Sequence, residues 1–247
     1  MAEHSVHAIV LRRRDSGESD RRLTLLTREL GKFDAVAKGA RKSASRLAGV
    51  SDPLSVAILT VADGKLNRFI TQAQPLASFR GLRTDYERLN FALSLVELYA
   101  AVVPLEQPLP EAYDLLNHSL RTLESHPKPL VATVWAQVKL LDLSGFMPQF
   151  DRCVATDQPI TEGSPFLSPH AGGYVCDAAA DGYSDRFVTR AEALLGLARL
   201  PELDDAPGNL KFAAEALVCL LPFWRAIADL ALPATEAVVQ EIRHSIS

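Results

Sequence analysis

Lys38, Arg41, Lys42 and Arg46 fall within nine residues, separated by Gly39 and by alanines and serines. Cations at that density attract a polyanion. The small residues between them let a phosphate backbone come close. Such binding is driven by release of condensed counterions and is indifferent to base sequence. Arg12, Arg13 and Arg14 form a second run, Arg21 and Arg22 a third, and Lys65 and Arg68 lie at and just after a turn. On a strand, Arg12 and Arg14 share one face while Arg13 takes the other. The overall charge is −4, but residues 1–80 carry +6 and residues 81–247 carry −10. An asymmetry of that size points to a polyanion partner for the first third of the chain. Exposed aromatics would favour single strands. Only Phe33 and Phe69 are candidates, and both are expected in the core.

A second cluster is cysteine-based. Cys153 and Cys176 sit in a turn-rich segment with Gly172 and Gly173. A structural zinc site usually draws on two Cys-x-x-Cys pairs. Here the positions three residues on are Thr156 and Ala179, which supply no thiolate. Asp157, His170 and Asp177 are nearby donors, and two unliganded cysteines held by packing are the alternative. Cys219 lies in an apolar helical stretch and is expected in the core. Three widely spaced cysteines do not form a secreted disulfide framework, so a reducing cytoplasm is expected.

The sequence has no Gly-rich phosphate cradle, no Gly-x-Ser-x-Gly elbow and no His-Glu-x-x-His. The six histidines have no ligand spacing. The chain is therefore read as non-enzymatic. It lacks an N-terminal apolar run behind a basic start and any apolar stretch long enough for a bilayer, so neither a signal peptide nor a membrane partner is expected.

Several elements position these residues. Residues 6–14, 21–27, 33–37, 54–61 and 66–74 read as short strands, and 38–46 as an exposed loop. Five evenly spaced strands suggest a small closed barrel of OB type, with an SH3-like barrel as the alternative. Near Arg80 the periodicity becomes helical. One helix centres on 89–99 and stops before Pro104; others cover 112–123, 130–143, 190–200, 211–232 (interrupted at Pro222) and 234–246. Residues 147–185 are irregular. The expected fold is α+β: an OB-fold-like barrel over 1–80, then a helical domain over 81–247 with a cysteine-containing insertion at about 147–185. With 48% hydrophobic and 23% charged residues the chain can bury a core and is not of disordered composition.

Three stretches resemble the bacterial recombination mediator family RecO. Gly31-Lys32 followed by Ala37-Lys38-Gly39-Ala40-Arg41-Lys42 resembles its basic N-terminal stretch. Tyr86-Glu87-Arg88-Leu89 resembles the start of its helical domain. Gly145-Phe146-Met147-Pro148, then Cys153, Gly172-Gly173 and Cys176, resembles its zinc loop. The resemblance implies an N-terminal OB-fold, a helical body and a zinc-finger-like insertion. It also implies binding of single- and double-stranded DNA, annealing of complementary strands and help in loading recombinase. RecR and the acidic C-terminal tail of single-strand-binding protein are the implied partners, in a cytoplasmic, nucleoid-associated setting. The DNA-binding set is then Arg12, Arg14, Arg21, Arg22, Lys32, Lys38, Arg41, Lys42, Arg46, Lys65 and Arg68, and the zinc candidates are Cys153 and Cys176. Thr156 and Ala179 depart from the family's second cysteines, which puts zinc in question but not the loop. A protein-only adaptor without direct DNA binding is the alternative.

Overall fold

The computed structural model describes residues 2–42, 45–160, 163–228 and 230–246, the side chain of Ile246 excepted. Ser43 and Ala44 of the basic loop therefore lie outside the described residues.

β1 (Glu3–Ser16), β2 (Asp20–Thr27), β3 (Gly31–Ala37), β4 (Val56–Asp63) and β5 (Arg68–Ala77) close into a barrel in the order β1-β2-β3-β5-β4. β1, β2 and β3 form an antiparallel meander, β3 pairs with β5 in parallel, and β4 returns to β1. Closure removes the exposed edges that a five-stranded sheet would leave. Val6, Ala8, Val10, Leu23, Leu25, Phe33, Ala35, Leu59, Val61 and Ile70 are among the residues that fill the interior.

β1 changes phase partway along. Val6, Ala8 and Val10 face inward, and simple alternation would turn Arg12 and Arg14 inward after them. A bulge between Val10 and Arg12 inserts Leu11 as an extra residue, so Arg12 pairs with Thr24 and Arg14 with Arg22. Those partners alternate with the inward Leu23 and Leu25, which puts Arg12 and Arg14 outside. One sequence expectation fails at β5. It begins at Arg68, so Leu66 belongs to the turn and not to the strand. Gly64 N–H bonds to the Asn67 carbonyl (2.9 Å), which closes that turn at the residue just before the strand.

The compact unit that contains the barrel extends to Glu124 and includes three helices: α1 (Arg80–Thr84), α2 (Tyr86–Val102) and α3 (Pro110–Ser125), whose last residue opens the next unit. Asp85 caps α2 by accepting from the Arg88 N–H. α2 packs on β1, and its buried face includes Phe91, Leu95, Leu98 and Tyr99.

The second unit, Ser125–Ser247, holds α4 (Pro129–Leu143), α5 (Asp177–Ala180), α6 (Ala191–Arg199), α7 (Ala213–Ile227) and α8 (Pro233–Ile246). α7 runs through Pro222, where the sequence suggested an interruption, and ends earlier, at Ile227. Pro222 forfeits the N–H bond to the carbonyl four residues back. Burial of Leu217, Leu220, Leu221, Phe223 and Trp224 around it holds the helix together. Trp224 Nε1 donates to Gln137 Oε1 (2.8 Å), tying α7 to α4. The segment read as irregular contains β6 (Phe166–Ser168) and β7 (Gly173–Val175), which form a small sheet with β8 (Phe187–Val188), just past its end, in the order β7-β6-β8. Among the described residues no helix is long and apolar enough to cross a membrane.

Candidate nucleic-acid interface

Residues directly opposite one another in a sheet share a face. Arg14 pairs with Arg22, Arg22 with Val36, and Val36 with Phe69. The four form one cross-strand row on the outer face of β1, β2, β3 and β5, about 14 Å long at the usual strand spacing. The adjacent row is Arg12, Thr24 and Asp34. Lys38 leaves the end of β3 and sets its ammonium 4.5 Å above the Phe69 ring centre. Arg22 Nη2 donates to Asn67 Oδ1 (2.9 Å), joining the row to the β4–β5 turn. The carboxylate in this region is Asp34, which accepts from Arg14 (2.9 Å) and from the Thr24 hydroxyl (2.7 Å). Phe69 therefore lies on the outer face of the barrel, half-buried beneath Lys38, contrary to the expectation of core. Phe33 is in the core, 1% exposed.

The basic loop is built onto the β1–β2 turn. Asp20 Oδ1 accepts from the Gly39 N–H (2.7 Å), the Arg41 N–H bonds to the Ser19 carbonyl (2.9 Å), and Arg41 Nη1 reaches the Gly17 carbonyl (2.9 Å). The Gly39 N–H, then the Ser19 hydroxyl, hold the Asp20 carboxyl below its ordinary range, with Lys38 and Lys42 adding attraction. Lys38 and Lys42 are thus held near the tip of the β1–β2 hairpin. Lys42, Arg46 and Lys65 are exposed, and their side chains make no hydrogen bond or ion pair among the described residues.

Other expected contacts are not brought to this face. Arg21 and Arg13 lie on the core side of their strands. Asp52 pairs with both, with Arg21 at 3.5 Å, and Arg21 also approaches Asp15 (3.9 Å). Arg41 approaches Asp15 as well (3.4 Å). Arg68 turns to the core side, over the Phe33 ring, between Asp63 (3.2 Å) and Glu106 (3.3 Å). Lys32 is 5% exposed and donates through Nζ to the Ala100 carbonyl (2.5 Å). Its place in the expected DNA-binding set is corrected. A buried ammonium that closes the end of α2 has no access to a phosphate. These pairings leave no trace in the sequence, because Asp52 and Ala100 lie far from their partners along the chain.

The two cysteines do meet. The Cys176 N–H donates to Cys153 Sγ (3.2 Å), and the Thr156 hydroxyl lies 3.4 Å from Cys176 Sγ. Burial pushes the Cys153 thiol up, but hydrogen bonds from the Thr156 hydroxyl and from the amides of Cys176, Ala155 and Thr156 outweigh it and bring it down to about 7. Asp157 is engaged by Arg152 (2.7 Å), and the His170 N–H is held by Asp185 (2.8 Å). Among the described residues no three His, Cys, Asp or Glu side chains converge on a metal position. Two thiols and a hydroxyl do not fit a tetrahedral structural zinc site.

A closed barrel of this strand order, carrying a cationic outer row and followed by helices, places the chain among the OB-like barrel proteins. The chain belongs to the recombination protein O family. The family's N-terminal part matches residues 1–79 and its C-terminal part residues 83–226. It is 36% identical over 222 residues to the protein named DNA repair protein RecO of Heliobacterium modesticaldum, covering 88% of this chain and 81% of that one. For the protein of the same name from Roseiflexus sp. the figures are 37% over 177 residues, 72% and 62%. For that of Anaeromyxobacter dehalogenans they are 34% over 209 residues, 84% and 80%.

Proposed function

We propose that this chain is a non-enzymatic DNA repair and recombination mediator that binds single- and double-stranded DNA along the outer face of its barrel. The observation that carries this reading is the in-register row Arg14, Arg22, Val36 and Phe69 with Lys38 over its end. A track of cations with one intervening carboxylate matches a phosphate backbone, and nothing in it selects a base sequence. Cations on two strands at once lower their mutual repulsion, so complementary strands anneal without nucleotide hydrolysis, because pairing itself is downhill. On this reading the chain works in the cytoplasm at the nucleoid, with RecR and the tail of single-strand-binding protein as partners in loading recombinase. Membership of the family and the names of its relatives support the DNA repair role. Zinc has no role in it.

The test is a fluorescence-anisotropy titration at two salt concentrations. Reversing Arg14, Lys38 and Lys42 to Glu should weaken binding to every DNA sequence and flatten the salt dependence by about one unit of slope per lost contact. A protein-only adaptor would show no DNA binding in the wild type. Wild-type affinity and slope in the triple variant would move the interface elsewhere.

A further inference from the structure

The tip of the β4–β5 hairpin carries an apolar side chain that packing does not explain. Leu66 is 94% exposed, beside the exposed Lys65. Its position is not a matter of a loose loop. Gly64 N–H bonds to the Asn67 carbonyl (2.9 Å), and Asn67 Oδ1 accepts from Arg22. A Cβ on Gly64 would come within 2.7 Å of Phe69 Cε2 and 2.6 Å of the Asn67 carbonyl oxygen, so the turn lies directly against the Phe69 ring. The hairpin tip is therefore pinned to the surface aromatic and to the arginine row, and it holds Leu66 out into solvent.

We propose that Leu66 and Phe69 form a contact site for unpaired nucleobases, which makes this barrel prefer single strands to duplex. The inference rests on reading the outer face as a nucleic-acid interface and names the form of nucleic acid it selects. In a duplex the base faces are stacked inside, and a surface leucine and phenylalanine meet only backbone and groove edges. A single strand offers its base faces, which lie favourably on aromatic and aliphatic side chains while cations follow the backbone. The charge needed for that occupant is already on the same face, in Arg14, Arg22 and Lys38, and the exposed Lys65 is next to Leu66 in the turn. Lys38 sits over Phe69 in the free protein. Its long, exposed side chain swings to a phosphate as a base takes its place on the ring.

Anisotropy with an oligothymidylate and with a duplex of equal length tests the proposal. Leu66→Ser, at a position with no packing to lose, and Phe69→Leu should each weaken single-strand binding by about 5- to 20-fold. For Leu66→Ser, which lies outside the cationic row, duplex affinity should stay within about twofold of wild type and both salt slopes should be unchanged. Leu66→Trp should tighten single-strand binding, and its fluorescence should be quenched by the oligonucleotide and not by the duplex. Equal losses on single strand and duplex, or no loss on either, overturn the base-contact site while leaving the cationic track standing. If reversal of Arg14, Lys38 and Lys42 leaves all DNA binding intact, the interface itself fails, and this site fails with it.

Discussion

The Lys32 ammonium of β3 donates to the Ala100 carbonyl over 2.5 Å, so a lysine from the barrel closes the C-terminal end of α2. Burial, reinforced by the nearby Arg12 and opposed by Asp34, brings this amine down from 10.5 to about 8. The unfolded chain then binds more protons than the folded one between about pH 8 and 10.5, and stability rises with pH across that window. Below pH 8 the buried charge costs about 2–3 kcal/mol. Denaturant unfolding of wild type and Lys32→Met should therefore show a stability gap that changes by about that amount between pH 7.5 and 10.5. A gap independent of pH would mean that the lysine is hydrated.

Gly31 has φ +72°, and a Cβ there would lie 2.1 Å from the Gln107 carbonyl oxygen. The β2–β3 turn depends on this close approach of two backbone segments. Gly31→Ala should lower the stability of the folded chain by about 2–4 kcal/mol, through left-handed strain and displacement of the 105–107 segment. Thermal melting checks this, and an unchanged melting temperature would refute the contact.

Arg21 is 18% exposed at its side chain and approaches both Asp15 and Asp52. Its partners make its role structural, in contrast to the role proposed for Lys38 and Lys42. Arg21→Gln should cost about 1–2 kcal/mol of stability, between the values for surface and buried pairs, because both carboxylates remain partly solvated. The salt slope of DNA binding should not move. A flattened slope with unchanged stability would assign Arg21 to the phosphate track instead.

The Cys153–Cys176 turn is held by the Cys176 amide, the Thr156 hydroxyl and the backbone bond from the Val154 N–H to the Tyr174 carbonyl (2.9 Å). A zinc-dependent fold would unfold on chelation. For this chain, prolonged exposure to a strong chelator should leave the melting temperature unchanged, and elemental analysis of untagged protein should find well under one zinc per chain. Loss of structure with the metal would show that ligands beyond these two thiols complete a site.

Much of the barrel was legible in the sequence. Five short apolar runs separated by turn residues dictate small strands, because side chains alternate every two residues and glycine and aspartate punctuate them. The helical spacing of Leu89, Leu93, Val96 and Tyr99 likewise announced α2. The charge split between residues 1–80 and the remainder located the candidate interface. The density of Lys38, Arg41 and Lys42 is a local property, and local properties survive in a one-dimensional reading. The missing thiols at Thr156 and Ala179 were equally plain.

Only the tertiary structure decided which cations are left facing solvent. The bulge at Leu11 reverses the phase of β1 and turns Arg12 and Arg14 outward, and a one-residue shift of that kind leaves no composition signal. Pairing of Arg13 and Arg21 with Asp52, burial of Lys32 under α2 and surfacing of Phe69 beside Val36 all depend on contacts between residues distant along the chain. Residue type and spacing fix how much charge a segment carries. Whether that charge meets solvent, a carboxylate or a helix end is set by barrel closure, which brings together strands that the sequence keeps apart.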